Sequence, residues 1–399
     1  MRLLRREGRD VYLFAAAEQR KVWVGCAGST LVCRNGELDA ESFFDALRRW
    51  AEGPFFCCVG LDFSPRESAL PAAVALRPSL ELEFTDEGAV VLSEEPGLAA
   101  LGRAALDAAP IDRALRAKPR DVRPDWRTEP DEAFRARLAG AIERVRGQQG
   151  KLIVTRTFAH EVPQGAELLE LGATLLGAET QAAAAHYFEI DGVGSLGTSP
   201  ENVLEVIDGR LRVDAVAGTR PVDPDPVRDS EYERELLESE KERGEHALAL
   251  GRARAFAEKW CEDGTTELAF ERRISAFRRV RHLKSRVEGR LRPGLDAIEL
   301  LRRAYPPLTS YPSELAAGLA VDPAPGGLYG GLLARVSARG DSSAFLNLRS
   351  VQRVGHELVT RGGVGVVDGS TLTGEQREIL AKLRSIDEAV LDWLSPGDA

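Results

Sequence analysis

Alternating apolar and polar positions dominate the first third of the chain and predict a sheet. Between Val11 and Cys33 the short apolar runs VYLF, VWVG and TLVC are separated by Gly, Asn and charge, as strands are. Leu80–Leu92 alternates on either side of Asp-Glu-Gly, a hairpin pattern. PFFCCVGLDF, from Pro54, reads as a buried strand, while Ala40–Glu52 and the Ala-rich Leu98–Ala117 read as helices. Lys118–Pro130 holds three prolines among charges and is the best linker candidate, without marking two independently folding domains.

Beyond it the pattern predicts a helix over Asp131–Val145, a strand over Lys151–Arg156 and a passage from helix into strand over Thr180–Glu189. Val193–Gly209 reads as two strands around a Ser-Pro-Glu turn, and LRVDAVAGTRP continues the sheet to Pro221. The proline-free run Tyr232–Trp260, rich in Glu, Arg, Ala and Leu, predicts one helix. Short segments follow at Thr266–Phe270 and Phe277–Ser285, the second open between helix and strand, then a strand at Val287–Leu291 and a helix at Leu295–Ala304. Pro306–Pro325 is irregular. LYGGLLARVSA, SAFLNLRSVQRV and ELVTRGGVGVV are three strand candidates, and a helix containing Glu375 ends the fold.

Composition narrows the classes. With 399 residues, 43% of them apolar, the chain can bury a large core. A net charge of −10, with no long Lys/Arg block, argues against nucleic acid as the main partner; an anionic substrate would need local Arg and Lys to receive it. The cysteines, Cys26, Cys33, Cys57, Cys58 and Cys261, are odd in number and lack a metal-site spacing, which suits reduced thiols in a cytoplasm. No apolar run approaches the length needed to cross a membrane, so a soluble protein is expected.

Spacing then supplies candidate chemistry. Glu242 and Glu245 share one helix face, and Glu375 and Glu378 repeat the spacing with Lys382 one turn on. Two such pairs suit a hard divalent cation, Mg²⁺ above all; they equally suit two solvated helix faces. Lys151 opens a buried strand, where desolvation can make an amine a general base, or it is a solvated strand end. Glu201 follows a Pro-fixed turn that can hold a carboxyl rigidly or serve only as a cap. Ala217-Gly218-Thr219-Arg220 offers backbone N–H groups, a hydroxyl and a guanidinium to a carboxylate. Gly362-Gly363-Val364-Gly365 can bring backbone close to an anion, and Arg349, ending an apolar strand, suits a carboxylate clamp.

Taken together in this order, KLIVTR, GTSPENVLEV, AVAGTR, SEKERGEHAL, VRHLKSRVEGRL, GLYGGLL, LNLRS, RGGVGVV and EQREILAKL resemble the chorismate-utilising enzymes: isochorismate, salicylate, anthranilate and aminodeoxychorismate synthases. The resemblance runs from Lys151 to Leu383, well over half the chain; residues 1–130 match only loosely. It implies an α+β fold, a single large unit of two β-sheets packed face to face and flanked by helices. In it 1–130 would complete the sheets and 131–399 would form the catalytic region.

By that resemblance Glu245 and Glu378 would ligate Mg²⁺, with Glu242 and Glu375 adjoining, and the metal would hold the ring carboxylate of chorismate. Tyr329, Arg349 and the Gly363–Gly365 backbone would bind the enolpyruvyl carboxylate. Lys382 would neutralise charge near the metal, Gly218 and Thr219 would line the ring, and His282 would sit nearby among the catalytic groups. Lys151 would activate water for attack at ring C2 and Glu201 would protonate the leaving C4 hydroxyl. Lys at position 151, where ammonia-using relatives typically carry Gln, favours isochorismate, with a slight lean toward salicylate by later loss of pyruvate. No amidotransferase subunit is implied, and a monomer is expected. An ammonia-using synthase and a non-catalytic chorismate-binding protein are the alternatives. One stretch departs: in YPPLTSYPSEL (Tyr305–Leu315) Thr309 keeps its substrate-lining place, but Pro312, Ser313 and Glu314 replace small or basic residues, and Gly326 stands where an Arg is usual.

Overall fold

A computed structural model describes residues 9–61, 63, 69–107, 123–179, 181–316 and 327–394. In chain order the elements begin with β1 (Val11–Ala16), β2 (Lys21–Cys33), α1 (Ala40–Trp50), β3 (Phe55–Val59), β4 (Ala73–Thr85), β5 (Gly88–Leu92) and α2 (Pro96–Asp107). Next come β6 (Arg127–Thr128), α3 (Asp131–Val145), β7 (Leu152–Glu161), α4 (Leu168–Ala178), β8 (Ala184–Ile190), β9 (Val193–Ser199), β10 (Asn202–Ile207) and β11 (Arg210–Pro221). Then follow α5 (Pro226–Glu238), α6 (Glu240–Trp260), β12 (Glu267–Ala276), β13 (Val280–Arg290), α7 (Ala297–Ala304) and the single turn α8 (Ser313–Ala316). The chain closes with β14 (Leu332–Val336), β15 (Ser342–Leu346), β16 (Ser350–Val354), β17 (Glu357–Val366) and α9 (Leu372–Leu394).

Every strand pairing among these is antiparallel, and the ladder is continuous. From one end it runs β6-β7-β17-β16-β9-β8-β1-β2-β4. It then continues through β3-β14-β15-β10-β11-β13-β12. The long strand β4 carries it from one half to the other. Those halves face each other: Tyr12, Phe14 and Phe188 of the first pack on Phe56 and Phe345 of the second, with ring centroids 5.6 Å apart for Tyr12–Phe56 and 5.8 Å for Phe56–Phe188. The expected face-to-face arrangement is therefore present, joined by hydrogen bonds at one side. Phe56 is fully buried at this junction, so truncating it to Ala removes roughly 3–5 kcal/mol.

Helices cover both outer faces. On the first half α3, α4 and α9 bury Phe134, Leu171 and Ile379 against Leu152 and Val364. On the second, α1, α6 and α7 bury Phe43, Ala257 and Leu301 against Leu204 and Val213. Among the described residues no helix is long and apolar enough to cross a membrane.

Several predicted elements change shape. The long acidic helix is two helices, broken at Ser239, whose extended backbone and side chain cap α6 by accepting from the Glu242 N–H. The Ser-x-x-Glu spacing there is a capping-box signature. Phe277–Ser285 and Val287–Leu291 form one strand, β13, after a turn at Phe277. SAFLNLRSVQRV is two strands, β15 and β16, because Arg349 takes a left-handed φ of +40° that ends the first pairing. The helix read into Thr180–Glu189 ends at Ala178, and α4 occupies the apolar stretch before it. Part of the Leu98–Ala117 helix, part of the linker, Thr180, part of the irregular Pro306–Pro325 segment and Gly326 lie outside the described residues.

Candidate active site

A pocket with a cavity volume of about 90 Å³ lies where the two halves meet. β7 and β17 wall it from the first half, β11 and β13 from the second, and α6 and α9 close it. It brings together Lys151, Glu201, Gly218, Thr219, Glu245, His282, Tyr329, Arg349, Gly363, Gly365 and Lys382. Thr309 lines an adjoining bay instead, and its hydroxyl donates to the Ser310 carbonyl, so the substrate-lining place expected for it is not where the structure puts it. Glu242, Glu375 and Glu378 stand beside the pocket rather than in its lining.

The glycines of β17 explain how the lysine reaches in. A Cβ on Gly365 would lie 2.0 Å from Lys151 Cε, one on Gly363 would lie 2.9 Å from the Tyr329 hydroxyl, and one on Gly362 would meet Ile379 of α9 at 2.8 Å. This run therefore makes room for a base, a phenol and a helix, where the sequence suggested an anion cradle. Lys151 crosses Gly365 and donates to Glu245 Oε1 at 2.8 Å. Its backbone is fixed by a reciprocal bridge to Tyr311, Lys151 N–H to Tyr311 O at 2.6 Å and Tyr311 N–H to Lys151 O at 2.7 Å.

Glu201 sits in the turn between β9 and β10, its carbonyl accepting from the Leu346 N–H and its own N–H donating to Ser199 Oγ. Burial pushes its carboxyl up to about 8, against the opposing pull of Lys151, with Asp214 adding to the rise. A carboxyl so placed carries its proton at neutral pH and can give it up, the requirement for a general acid.

His282 is held differently from a proton shuttle. Arg349 Nη2 donates to its Nε2 at 2.8 Å, so its proton lies on Nδ1, which faces the Gly218 carbonyl and Thr219 Oγ1, each at 3.1 Å. Burial, with Arg349 next, pushes its pKa down to about 3. This neutral imidazole positions Arg349, whose guanidinium also stacks on Phe277 at 4.7 Å.

The Gly218–Arg220 turn does bind a carboxylate, and the carboxylate is the protein's own. Gly218 takes a left-handed φ of +83°, Thr219 N–H donates to Glu242 Oε2 at 3.0 Å and Arg220 Nη1 to Glu242 Oε1 at 2.6 Å. His246, one helical turn after Glu242, ties α6 to β13 through Ser285 Oγ at 2.7 Å.

The other candidate ligands are also matched by bases. Lys382 pairs with Glu378 at 2.7 Å and donates to the Gly363 carbonyl at 3.1 Å. Lys241 pairs with Glu375 at 2.9 Å and lies 3.6 Å from Glu242, joining the two helices. Its charge also acts on Glu378 and Glu245. Sequence reasoning missed Lys241, although it stands one residue before Glu242 in the quoted motif. Burial and Glu378 raise Glu375, whereas Lys382 and Lys241 outweigh burial at Glu378 and lower it.

Divalent-cation fit rests on this donor set. Four carboxylates on two helices converge on one ammonium, and Glu375 Oε2 is buried without a hydrogen-bond partner. Hard oxygens in this arrangement fit Mg²⁺. The side chains as placed are turned to their basic partners, and among the described residues no three His, Cys or carboxylate groups already form a cage.

The chorismate binding enzyme family matches residues 63–388. This chain belongs to that family. Over 201 residues, 49% of this chain, it is 36% identical to anthranilate synthase component 1 of Streptomyces coelicolor, matching 39% of that protein. The chain spans less than two thirds of the length of the curated relatives it matches. Its fold is similar to that of anthranilate synthase component I from Streptococcus pneumoniae, with a TM-score of 0.73 at 18% identity over 95% of this chain and 92% of that one. It is also similar to the menaquinone-specific isochorismate synthase of Escherichia coli, with a TM-score of 0.69 at 19% identity over 96% and 88%.

Proposed function

We propose that this family member converts chorismate to isochorismate by adding water at ring C2 with loss of the C4 hydroxyl. The observation that carries the reading is that Lys151 and Glu201 line one pocket, with Glu201 protonated near neutrality and Lys151 aimed across Gly365. Once Lys151 has turned from Glu245 and released its own proton to solvent, its neutral amine takes a proton from the attacking water as the C2–O bond forms. Electrons of the ring double bonds shift, the C4–O bond breaks, and Glu201 supplies the proton that makes the leaving hydroxyl water. One water enters and one leaves, so the net change is an isomerisation. Arg349, held by His282, and Tyr329 are placed to hold a carboxylate of the substrate in register.

Glu245 and Glu378 would hold Mg²⁺, with Glu242 and Glu375 adjoining, and the bound cation would neutralise a substrate carboxylate. For it to enter, Lys151 and Lys382 would turn from these carboxylates. Loss of pyruvate in the same pocket would carry the product on to salicylate.

Incubating chorismate with the protein, with and without Mg²⁺, and identifying the separated products tests the reading; unchanged chorismate under both conditions refutes it. A second reading draws on the anthranilate synthase relatives: an ammonia-using synthase. Turnover to an amino product that depends on ammonium would favour it and displace the first.

A further inference from the structure

A second bay, with a cavity volume of about 530 Å³, adjoins the pocket and shares Lys151, Ile153, Glu201, Val216 and Leu308 with it. Its floor is β11, where Val213, Asp214, Ala215 and Val216 all border it. One wall is α6, where Ala249 and Ala253 leave width, and the other is the Pro306–Tyr311 segment that is bridged to Lys151. An apolar slot of this kind admits a ring.

The charges on it are uneven. Asp214 at its floor is matched by Lys284 at 2.8 Å and Arg286 at 2.7 Å, and Arg303 at its rim by Glu299 at 2.7 Å. Arg252 and Lys259 stand seven residues apart on the same exposed face of α6, and among the described residues neither has a carboxylate within 4.0 Å. Lys259 lies over the Trp260 ring at 5.1 Å, and Arg252 lines the same bay as Glu201. A chain of net charge −10 repels anions at long range. Two uncompensated cations in a cleft with low-dielectric walls reverse that field locally and raise the rate at which an anion arrives.

We propose that this bay is the port through which an anionic cyclic carboxylate reaches Lys151 and Glu201, with Lys259 receiving it at the rim and Arg252 guiding it inward. The proposal rests on the chorismate reading above and adds the route and its receiving charges. Neither residue touches the reacting atoms; both act on arrival.

The test is Lys259→Glu, an exposed helix substitution remote from the reacting groups, compared with wild type over ionic strength. At low salt kcat/KM for chorismate falls roughly tenfold or more, with kcat unchanged. Near 0.5 M salt the two proteins converge, because screening shortens the reach of the charge. Arg252→Gln shows the same salt-sensitive loss in kcat/KM. A loss confined to kcat, a loss equal at both salts, or no loss overturns the port. Calorimetric titration with chorismate at low salt separates the layers. Wild type that binds chorismate, with variants that show none of the salt-sensitive loss, overturns the port alone, and wild type that does not bind it overturns the chorismate reading and the port with it.

Discussion

Glu201→Gln tests the site through stability as well as rate. The folded chain raises this carboxyl from 4.5 to about 8, chiefly by burial. Between those values the folded state keeps a proton that the unfolded state has released. Stability from this group therefore falls as pH rises through that window, since the slope follows protons bound unfolded minus folded. At about 1.4 kcal/mol per pKa unit the full shift corresponds to a ceiling near 5 kcal/mol. Glu201 is half-buried in a pocket open to water, so screening leaves roughly 1–3 kcal/mol.

Gln keeps the shape and cannot ionise. In the absence of metal and substrate the variant is therefore expected to be more stable than wild type by roughly 1–3 kcal/mol at pH 8.5 and by about half of that at pH 5.5. Denaturant unfolding followed by Trp fluorescence at the two pH values measures both. Chorismate turnover falls by about 10²–10⁴ in the same protein, because the proton donor is gone. Wild-type turnover itself declines as pH rises through about 8, as Glu201 ionises. A variant less stable than wild type at pH 8.5, or a gain that is the same at both pH values, refutes the argument that burial holds this carboxyl protonated.

Gly365→Ala places a Cβ 2.0 Å from Lys151 Cε, so turnover drops by about 10²-fold or more with the circular dichroism spectrum retained; near-normal kcat would show that the lysine does not act along this path. His282→Ala frees Arg349 and is expected to raise KM roughly tenfold, the worth of one lost orienting hydrogen bond, without removing an ionisation from the pH–rate profile between 5 and 8. Because burial holds His282 down at about 3, below the usual 6.5, the unfolded state binds more protons in that interval; stability from this site is present above 6.5 and is lost as pH falls toward 3, which unfolding at pH 4.5 and 7 compares for wild type and variant. Lys241→Met leaves buried Glu375 without its partner, so the metal-free chain loses roughly 2–4 kcal/mol. Mg²⁺ then raises the melting temperature of the variant more than that of wild type, and equal shifts in the two would count against a cation among these carboxylates.

The motifs named the residue types correctly, and the reason the rest stayed hidden is visible in particular pairs. Period and punctuation are local properties, so α3 appears over the very residues the pattern picks and the β4–β5 hairpin turns at Asp86-Glu87 as read. The break at Ser239 was also local, and its capping box was there to be found. What a charged group faces is not local. Gly218-Thr219-Arg220 was read as a carboxylate receptor and is one, yet its carboxylate arrives from α6 as Glu242, more than twenty residues on. Lys151 and Glu245 meet from positions 94 apart, and Arg349 finds His282 only because its left-handed backbone turns it out of the strand. Each of these contacts joins separate elements that meet only in the folded sandwich. Which side chains gather in such a pocket can therefore be read from motifs, whereas the metal-free charge pairing, with every candidate ligand held by an Arg or Lys, follows only from how the sandwich closes.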